Sequence, residues 1–357
     1  VLNGDFEETG ADQILNGDFS QEGSQLIVNG DFATDTDWTT LTGWAISGGS
    51  LNASGTTSST YQSNTGITTN KTYKVTYTIS NYVSGSVRIE LSAANVSVGL
   101  TRSANGTYTE YITALGDDTI YFDALVSFTG SIDNVSVVEV GQDWSLGTGW
   151  SIGDDKATID GSGGAISNLS QDIGILPSKS YKISFSVSDF TAGDFRVSVG
   201  SQQYSAFSDA NGDYVYYITT AASGTGVNPI FYFQSVNSAI FSVSNITVEE
   251  VGQDWVFNGE VSITAQGARI TSDGTYSDLS QNNILVIGDT YEMEYEITES
   301  VSGLLSITGS FGTGYALKNT VGVHKFYAVA TATPIQIKRS GVTDITIDNI
   351  KVKRLNG

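Results

Sequence analysis

The side chains that could carry out covalent or metal chemistry are few in this chain of 357 residues. It contains no Cys, one His (His324) and one Met (Met293). This composition excludes thiol nucleophiles, disulfides and the usual zinc ligand sets. His324 has no evident Ser or Asp partner, and the Gly-rich pieces lack the Lys and the following helix that a phosphate loop needs. The sequence therefore predicts a protein that is not an enzyme.

Carboxylates are abundant, with 38 Asp and Glu against 16 Lys and Arg, for a formal charge of −22. A glycosidase needs two opposed carboxylates about 5 to 10 Å apart, but no acidic pair recurs in a cleft-like context. The charge argues against nucleic acid or anionic lipid as a partner, because phosphate binding needs a basic surface. No run approaches the roughly 18 apolar residues of a membrane span, so no membrane insertion is expected.

One short motif stands out at the start of the chain, where the tetrad Asn-Gly-Asp-Phe occurs three times. The copies end at Phe6, Phe19 and Phe32, with 13 residues between successive copies. Residues 1–27 are acidic and polar, with too few apolar groups to fold alone. A metal loop, a processing scar, and the opening strand of a domain are three interpretations of the tetrad.

The rest of the chain repeats with a period of roughly 105 to 111 residues, a length typical of one domain. Three phrases recur at matching places in each period. The phrases are "DWTTLTGWAI", "DWSLGTGWSI" and "DWVFNGEVSI"; "TYKVTYTIS", "SYKISFSVS" and "TYEMEYEIT"; and "SIDNVSVVEV", "SVSNITVEEV" and "TIDNIKVKRL". The second phrase alternates apolar and polar residues, as a half-buried strand does.

These patterns predict an all-β fold made of three tandem antiparallel β-sandwich modules with a short N-terminal extension. The predicted boundaries are residues 1–27 for the N-terminal repeat segment, 28–140 for module 1, 141–251 for module 2 and 252–357 for module 3. The closing strands of modules 1 and 2 run directly into "GQDW". Linkers this short favour modules that pack end to end over modules that move freely.

The order of "NGDF", "DW", "TGW", "TYKVTYTIS", "GTYTEYITA" and "GSIDNVSV" resembles jelly-roll carbohydrate-binding modules of secreted xylanases and cellulases. It is also similar to tandem modules of that galactose-binding-like type in tail fibres and other virion proteins of bacteriophages. The pattern covers residues 28–140 and 141–251 well and 252–355 more thinly. The resemblance implies a jelly roll in which the opening Asn-Gly-x-Phe strand lies near the closing strand.

The resemblance also implies a structural Ca²⁺ between the first and last strands, since Ca²⁺ takes six to eight oxygen ligands. Matching carboxylates are found in modules 1 and 3, whereas Ser244 replaces one of them in module 2. The candidates are Asp31, Asp37, Asp133, Asp254 and Asp348. The alternative, which the sequence favours, is that Asp after Asn-Gly accepts turn hydrogen bonds. No cofactor is required by this interpretation.

Sugar binding would need exposed aromatic rings that stack on pyranose rings. The candidates are Trp and Tyr residues at repeated or loop-like places: Trp38, Trp44, Trp144, Trp150, Tyr61, Tyr204 and Tyr315. Trp255 holds the corresponding place in module 3. A Trp that recurs at a framework position more often fills a sandwich core than binds a ligand, and this alternative stays open.

Aromatic runs in module 2 suggest contacts within an assembly. In "YVYY", alternation assigns Tyr214 and Tyr216 to one face and Val215 and Tyr217 to the other. Exposed aromatic faces can form a seam between modules or subunits. Phe6 and Phe19 are assigned to assembly as well, because their tetrads look like opening strands that no module follows directly in the sequence. They are expected to pair with a neighbouring subunit's sheet edge or with each other.

The function predicted from these features is a non-enzymatic virion structural protein, a segment of a bacteriophage tail fibre or head fibre used for assembly and host-surface attachment. Its expected partners are copies of itself in a homo-oligomer such as a trimer, other virion proteins, and a cell-surface glycan. The first alternative is a secreted or cell-surface bacterial glycan-binding array. The second is a surface-layer or filament subunit.

Overall fold

The computed structural model of the chain describes residues 1–91, 97–116, 118–203, 208–220 and 228–355. These residues form β-strands and turns, with no helix among them. Within the same ranges, nothing helical has the length and apolarity to cross a membrane. The all-β prediction is therefore confirmed: the strands form three antiparallel sheet modules of the jelly-roll type.

Module 1 is built around two long strands that pair with each other. Its strands, after β1 (Thr9–Asp12) in the N-terminal segment, are β2 (Thr39–Thr40), β3 (Trp44–Ile46), β4 (Leu51–Thr56), β5 (Ser59–Ser63), β6 (Thr72–Glu90), β7 (Gly106–Thr113) and β8 (Thr119–Val140). The sheet order is β2-β5-β8-β4-β3, and β6 pairs with β7 and β8.

Modules 2 and 3 repeat this plan. The strands of module 2 are β9 (Ser145–Leu146), β10 (Trp150–Gly153), β11 (Lys156–Asp160), β12 (Ile166–Asp172), β13 (Ser180–Val199), β14 (Gln202–Gln203), β15 (Gly212–Thr219) and β16 (Ile230–Val251). Those of module 3 are β17 (Val256–Asn258), β18 (Val261–Thr264), β19 (Gly267–Ser272), β20 (Asp278–Gln281), β21 (Thr290–Gly309), β22 (Gly312–Ala316), β23 (Gly322–Val329) and β24 (Ile335–Arg354).

Irregularities halfway along the long strands let one strand serve both layers of a sandwich. In β6 the register with β8 shifts around Ser84, next to Gly85 with φ of +81°. A Cβ atom there would lie 1.8 Å from the carbonyl oxygen of Val126. Only glycine fits such a close approach at positive φ, so the bend is fixed by this residue.

Each module has its own hydrophobic core, and neighbouring cores are joined at the linkers. Val140, the last residue of β8, packs into the core of module 2, and Val251, the last residue of β16, packs into the core of module 3. The prediction of end-to-end packing through short linkers is thus confirmed. The modules form a row in the order 1, 2, 3, with module 2 in contact with both neighbours.

Candidate functional site

The N-terminal segment runs along all three modules in reverse order. We call residues 1–32 the strap, and its three six-residue units clasp 1 (Val1–Phe6), clasp 2 (Ile14–Phe19) and clasp 3 (Ile27–Phe32). Phe6 is buried in the core of module 3, Phe19 in that of module 2 and Phe32 in that of module 1. The expectation that the first two copies pair with a second subunit is wrong, because each has its partner within the same chain.

A tight turn shapes every clasp. The Phe N–H donates a hydrogen bond to the carbonyl of the Asn three residues earlier, at 3.3 Å in clasp 1 and 3.2 Å in clasps 2 and 3. Both the Asn and the Phe have positive φ, for example 44° at Asn3 and 57° at Phe6. A bulky residue seldom adopts this conformation, and burial of the ring against the module offsets its cost.

The glycine of the tetrad brings the strap backbone against the closing strand of the module. The carbonyl of Gly4 accepts a hydrogen bond from Ile350 N–H at 2.8 Å. A Cβ atom at Gly4 would lie 2.0 Å from the carbonyl oxygen of Ile350. Gly17 and Gly30 have the same relation to Ile246 and Val135, at 2.0 and 2.1 Å. No side chain fits between these backbones, which explains why each copy has Gly.

A tryptophan of the module closes over each clasp. The indole N–H donates to the Asn carbonyl, from Trp255 to Asn3 at 3.0 Å and from Trp144 to Asn16 at 2.9 Å. The Trp38 indole does the same in module 1, at 3.3 Å. In each pair the Phe and Trp ring centroids lie 5.2 to 5.3 Å apart. Such tilted aromatic pairs stabilise beyond the area they bury.

A buried glutamine fixes the residue that precedes each tetrad. Gln281 accepts a hydrogen bond from Leu2 N–H at 2.9 Å and donates one to the Leu2 carbonyl at 3.1 Å. Gln171 holds Leu15 and Gln62 holds Val28 in the same two-bonded way. Sequence analysis missed these three Gln. Their recurrence in "YQSN", "SQDI" and "SQNN" was the available signal, as was the equal number of tetrads and modules.

Between clasps, the strap follows the ends of the closing strands. Strand β1 pairs with β16 of module 2, with Thr9 opposite Val251. The next stretch follows β8 of module 1, with a bridge from Glu22 to Val140. The strap thus lies over both module junctions and contacts the modules on either side.

All five tryptophans have framework positions, because each side chain is 5 to 8 % exposed. Trp38, Trp144 and Trp255 bind the clasps, as described above. Trp44 donates its indole N–H to the Ser58 carbonyl at 2.7 Å, and Trp150 packs edge-on against Phe241 and Phe233. The structure places none of these rings on the surface, so sugar binding by Trp stays a prediction without an exposed ring to support it.

The three tyrosine candidates for sugar binding differ in placement. Tyr61 is half-buried beside Tyr121 on the neighbouring strand, with ring centroids 5.3 Å apart. Tyr315 is 40 % exposed and stacks on Phe326 at 4.2 Å. Tyr204 lies outside the described residues. Among the predicted Tyr, Tyr61 is therefore the one that is partly exposed beside a second partly exposed Tyr, Tyr121, on the same face of the sheet.

The carboxylates proposed for Ca²⁺ are used in local hydrogen bonds. Asp31 accepts from Ala33 N–H at 3.3 Å, and Asp133 accepts from Asn134 N–H at 2.7 Å. Asp37 accepts from the Thr36 hydroxyl at 2.6 Å. Within the described ranges, no three Asp, Glu or His side chains are grouped closely enough to bind one metal ion. Structural Ca²⁺ therefore stays a prediction.

Module 3 holds the most strongly perturbed of these acids. Burial raises the pKa of Asp348 to about 6, and the negative charges of Asp5, Glu296 and Glu7 act in the same direction. The Asn349 N–H donates to Asp348 at 2.8 Å, which opposes the shift. Asp254 contributes its backbone carbonyl to Gln281 at 3.1 Å. Clasp 1 thus brings acidic residues to the closing strand of module 3.

The aromatic run in module 2 follows the predicted alternation, but the seam lies on the other face. Tyr216 is 8 % exposed, and Tyr214 stacks on Phe185 within the core at 5.2 Å. Tyr217 lies on the opposite face and packs against the core of module 3. The assignment of Tyr214 and Tyr216 to assembly is therefore corrected: Tyr217 makes the contact between modules.

One buried carboxylate lines a cavity of about 420 Å³ beside the first module junction. Glu110 accepts hydrogen bonds from the Tyr77 hydroxyl at 2.9 Å and from Leu100 N–H at 2.6 Å, and it pairs with Arg102 at 3.0 Å. Burial, followed by the charge of Glu110, raises the pKa of Tyr77. These bonds occupy the carboxylate with structural partners. His324 is likewise engaged, since its ring lies 2.5 Å from the Thr320 carbonyl.

Comparison with solved structures finds likenesses of fold at low identity. A tandem CBM22-1–CBM22-2 domain from Paenibacillus barcinonensis Xyn10C shares 12 % identity with a TM-score of 0.28, covering 65 % of this chain and 99 % of that one. A triple jelly-roll protein of the turret assembly in an archaeal virus shares 10 % identity with a TM-score of 0.22, covering 86 % and 88 %. Likenesses this distant carry no ligand or activity across to this chain.

No protein-family model matches the chain, and the search of curated proteins gives no match. The jelly-roll description of the three modules therefore rests on their own sheet topology. The function of the chain has to be inferred from its own contacts.

Proposed function

We propose that the chain is a non-enzymatic structural protein of a virus particle, a segment of a bacteriophage tail fibre or head fibre. Its role would be to hold a stiff row of modules that contributes to assembly and to attachment at the host surface. The observation that carries the proposal is the strap, which contacts all three modules and both junctions. A ligand-binding array gains little from such a device, whereas a load-bearing spacer needs one.

Two further features support a structural role. The large aromatic side chains of the framework lie in the cores, where they stabilise the modules. The buried carboxylate of Glu110 and the imidazole of His324 are already bonded to neighbouring groups. Neither observation identifies a group that is placed to act on a substrate.

The proposal is tested by locating the protein in particles. Antibodies raised against module 1 should label fibres in immunogold electron microscopy of purified virions. Mass spectrometry of the same particles should recover peptides from all three modules. Absence of the chain from purified particles would overturn the proposal. Small-angle scattering of the isolated protein should meanwhile give the profile of a rod of three modules.

A second function, a secreted glycan-binding array, is favoured by one observation. Tyr61 and Tyr121 form a half-exposed aromatic pair on the outer face of module 1. Isothermal titration with plant and bacterial polysaccharides, repeated with Tyr61→Ala, tests this role. Tyr232→Ala, which changes a half-buried Tyr at the start of β16 in module 2, is the matched control. Binding that is lost only in Tyr61→Ala would support the array.

A further inference from the structure

The two module junctions within the chain are built in the same way. Tyr111, the sixth residue of β7, packs against the core of module 2, and Tyr217, the sixth residue of β15, packs against that of module 3. In both cases the partner is the first long hairpin of the next module, β10–β11 or β18–β19. Its apolar anchor is fully covered, since Ile152 is 1 % exposed and Ile263 is 2 % exposed.

Module 3 carries the same tyrosine on a face that modules 1 and 2 do not cover. Tyr327 is the sixth residue of β23 and is 59 % exposed. Its neighbours on the same face, Val323 and Val329, are 64 % and 51 % exposed. Modules 1 and 2 have Thr or Asp at both valine positions. Lys325 lies on the same face and pairs with Glu292 at 3.0 Å, at the position where module 2 has Val215. The outward face of β23 thus presents two exposed valines on either side of this ion pair and Tyr327.

Module 1 carries the matching hairpin in uncovered form. Ile46 in β3 holds the position of Ile152 and Ile263, but it is only partly buried. The turn that follows it, residues 47–49, is exposed. This turn has the same length in all three modules, because the Ile pairs with the residue five positions later in each hairpin. The two ends of the row are thus the two separated halves of the same junction.

We infer that module 3 of one copy docks on module 1 of a second copy, with Tyr327 against Ile46 and Ser47 of the β3–β4 hairpin. The contact repeats an interface that the chain already makes twice. Since its two surfaces differ, the contact is heterologous, and successive copies form an open filament or a ring. The inference rests on the proposed structural role, which it deepens by naming the surface through which copies join.

Charge explains why module 3 would choose module 1 over module 2. At the first junction, Lys74 pairs with Glu22 of the strap at 2.6 Å. This hydrogen bond is the main cause that raises the pKa of Lys74, and the charge of Asp155 in the acidic turn of module 2 adds to it. Module 3 has Glu292 in place of Lys74, and Glu292 pairs with Lys325 at 3.0 Å. The acidic turn of module 2 would thus meet a paired carboxylate instead of a lysine and lose the attraction that it has at the first junction. The turn of module 1, "SGGS", is uncharged and imposes no such cost. Glu292 also holds Tyr327, whose hydroxyl donates to it at 2.8 Å.

Disulfide trapping tests the contact, and the absence of Cys makes it specific. A Cβ atom at Gly153 would lie 2.8 Å from Cγ of Tyr111, so the Cβ atoms at these positions are close enough for a disulfide, which needs about 3.5–4.5 Å. Tyr111→Cys with Gly153→Cys is therefore the control pair and should close within one chain. The equivalent pair between copies is Tyr327→Cys with Ser47→Cys.

Under mild oxidation the Tyr327→Cys, Ser47→Cys variant should form a ladder of covalent dimers, trimers and larger species that collapses on reduction. Mixing the two single-Cys variants should give heterodimers in excess over homodimers. If the double variant stays monomeric at high concentration, under conditions where the control pair closes, the inference is overturned.

Sedimentation of the unmodified chain provides the second measurement. The weight-average mass should rise with concentration, and Tyr327→Asp should weaken association about 10-fold or more, as expected for an interface tyrosine. Val83→Asp, at a residue 72 % exposed in module 1, should change nothing. A mass that stays at one chain would contradict head-to-tail docking, and it would leave the fibre proposal to be decided by immunogold labelling.

Discussion

Clasps 1 and 3 make the same contacts over very different lengths of chain. The Trp–Asn hydrogen bond joins residues 9 apart in module 1 and 252 apart in module 3. The Gln pair joins residues 34 apart in one case and 279 apart in the other. We call the surface that each clasp contacts, formed by the closing strand, the Trp and the Gln described above, its groove. Clasp 3 directly precedes the module that carries its groove, because only residues 33–37 separate Phe32 from Trp38. Clasp 1 binds a groove in module 3, the last of the three modules in the sequence.

This difference shows that docking depends on the fit between clasp and groove, whatever the length of chain that joins them. Closing the longer loop costs about 3 kcal/mol more in conformational entropy, because the cost rises by about 0.6 kcal/mol for each doubling of loop length, and the contacts of clasp 1 have to offset this cost. Formation should nevertheless be slow for clasp 1, since contacts distant in sequence fold late. Substitutions at matched positions in modules 1 and 3 can separate these two contributions.

The largest effect is expected from truncating the clasp phenylalanines. Phe32→Ala should lower the free energy of unfolding of module 1 by about 3–5 kcal/mol, the usual cost of removing a buried Phe ring. Phe6→Ala should cost module 3 less, because clasp 1 can detach and leave the module folded. Hydrogen exchange resolved by module measures both. Equal losses, with residues 1–12 still protected in Phe6→Ala, would show that clasp 1 is inseparable from module 3.

Adding one methyl group to the tetrad glycine should have the next largest effect. Gly30→Ala and Gly4→Ala place a Cβ atom about 2 Å from a backbone oxygen, so the strap must move away and lose its hydrogen bond. A cost of about 2–3 kcal/mol is expected, within the range for backbone strain. Gly49→Asn, in open space at φ of +72°, is the control. Thermal unfolding unchanged in Gly4→Ala would mean that clasp 1 is not docked in solution.

Replacing the glutamines should give a smaller, paired effect. Gln281→Ala removes two hydrogen bonds to Leu2 and one to the Asp254 carbonyl, and Gln62→Ala removes two to Val28. About 1–2 kcal/mol per site is expected, since a buried backbone group loses its partner. Limited proteolysis should cleave Gln281→Ala near Leu2 faster than it cleaves Gln62→Ala near Val28. The reverse order would argue against tethering as the source of the difference between clasps.

The smallest effect is expected from replacing the acids of the closing strands, Asp348 in β24 and Asp133 in β8, and it should depend on pH. The pKa of Asp348 is raised to about 6 from 3.8, so the folded state favours the protonated acid and loses stability as pH rises from about 4 to 6. Asp348→Asn should therefore raise the unfolding temperature of module 3 at pH 7 and leave it unchanged at pH 4. Asp133→Asn in module 1, where Thr78 replaces Glu296, should do less. A lower unfolding temperature at pH 7 in Asp348→Asn, reproduced in the parent protein by adding a chelator, would indicate bound Ca²⁺ instead.

Much of the fold follows from local patterns in the sequence. Alternation in "TYKVTYTIS" correctly placed Tyr73, Val75, Tyr77 and Ile79 in a core, because strand periodicity is a property of adjacent residues. The recurrence of Trp38 and Trp144 at one place in the period correctly indicated a framework position. The packing of successive modules also follows from a local feature, the short linkers between one closing strand and the next "GQDW" or its equivalent.

The partners of the first two tetrads could not be found in this way. Phe6 and Phe19 bind grooves formed by residues more than 120 positions later, as the separation of 128 between Asn16 and Trp144 shows. No local pattern reports such a contact, and reversal of the order adds to the difficulty. The equal number of tetrads and modules and the recurring Gln motif were the available signals, and both gain meaning once the contacts of the clasps are known.

The reversed strap also determines how the molecule would respond to a pulling force. Val1 packs on the core of module 3, and Leu355 is bonded to Thr290 of the same module. Tension between these two positions would be applied at one end of the row, and would peel the clasps in the order 1, 2, 3. Each release frees 13 residues, roughly 45 Å of extended chain. Release of clasps 1 and 2 would therefore lengthen the chain in two equal steps, and dissipate work, before any jelly roll unfolds.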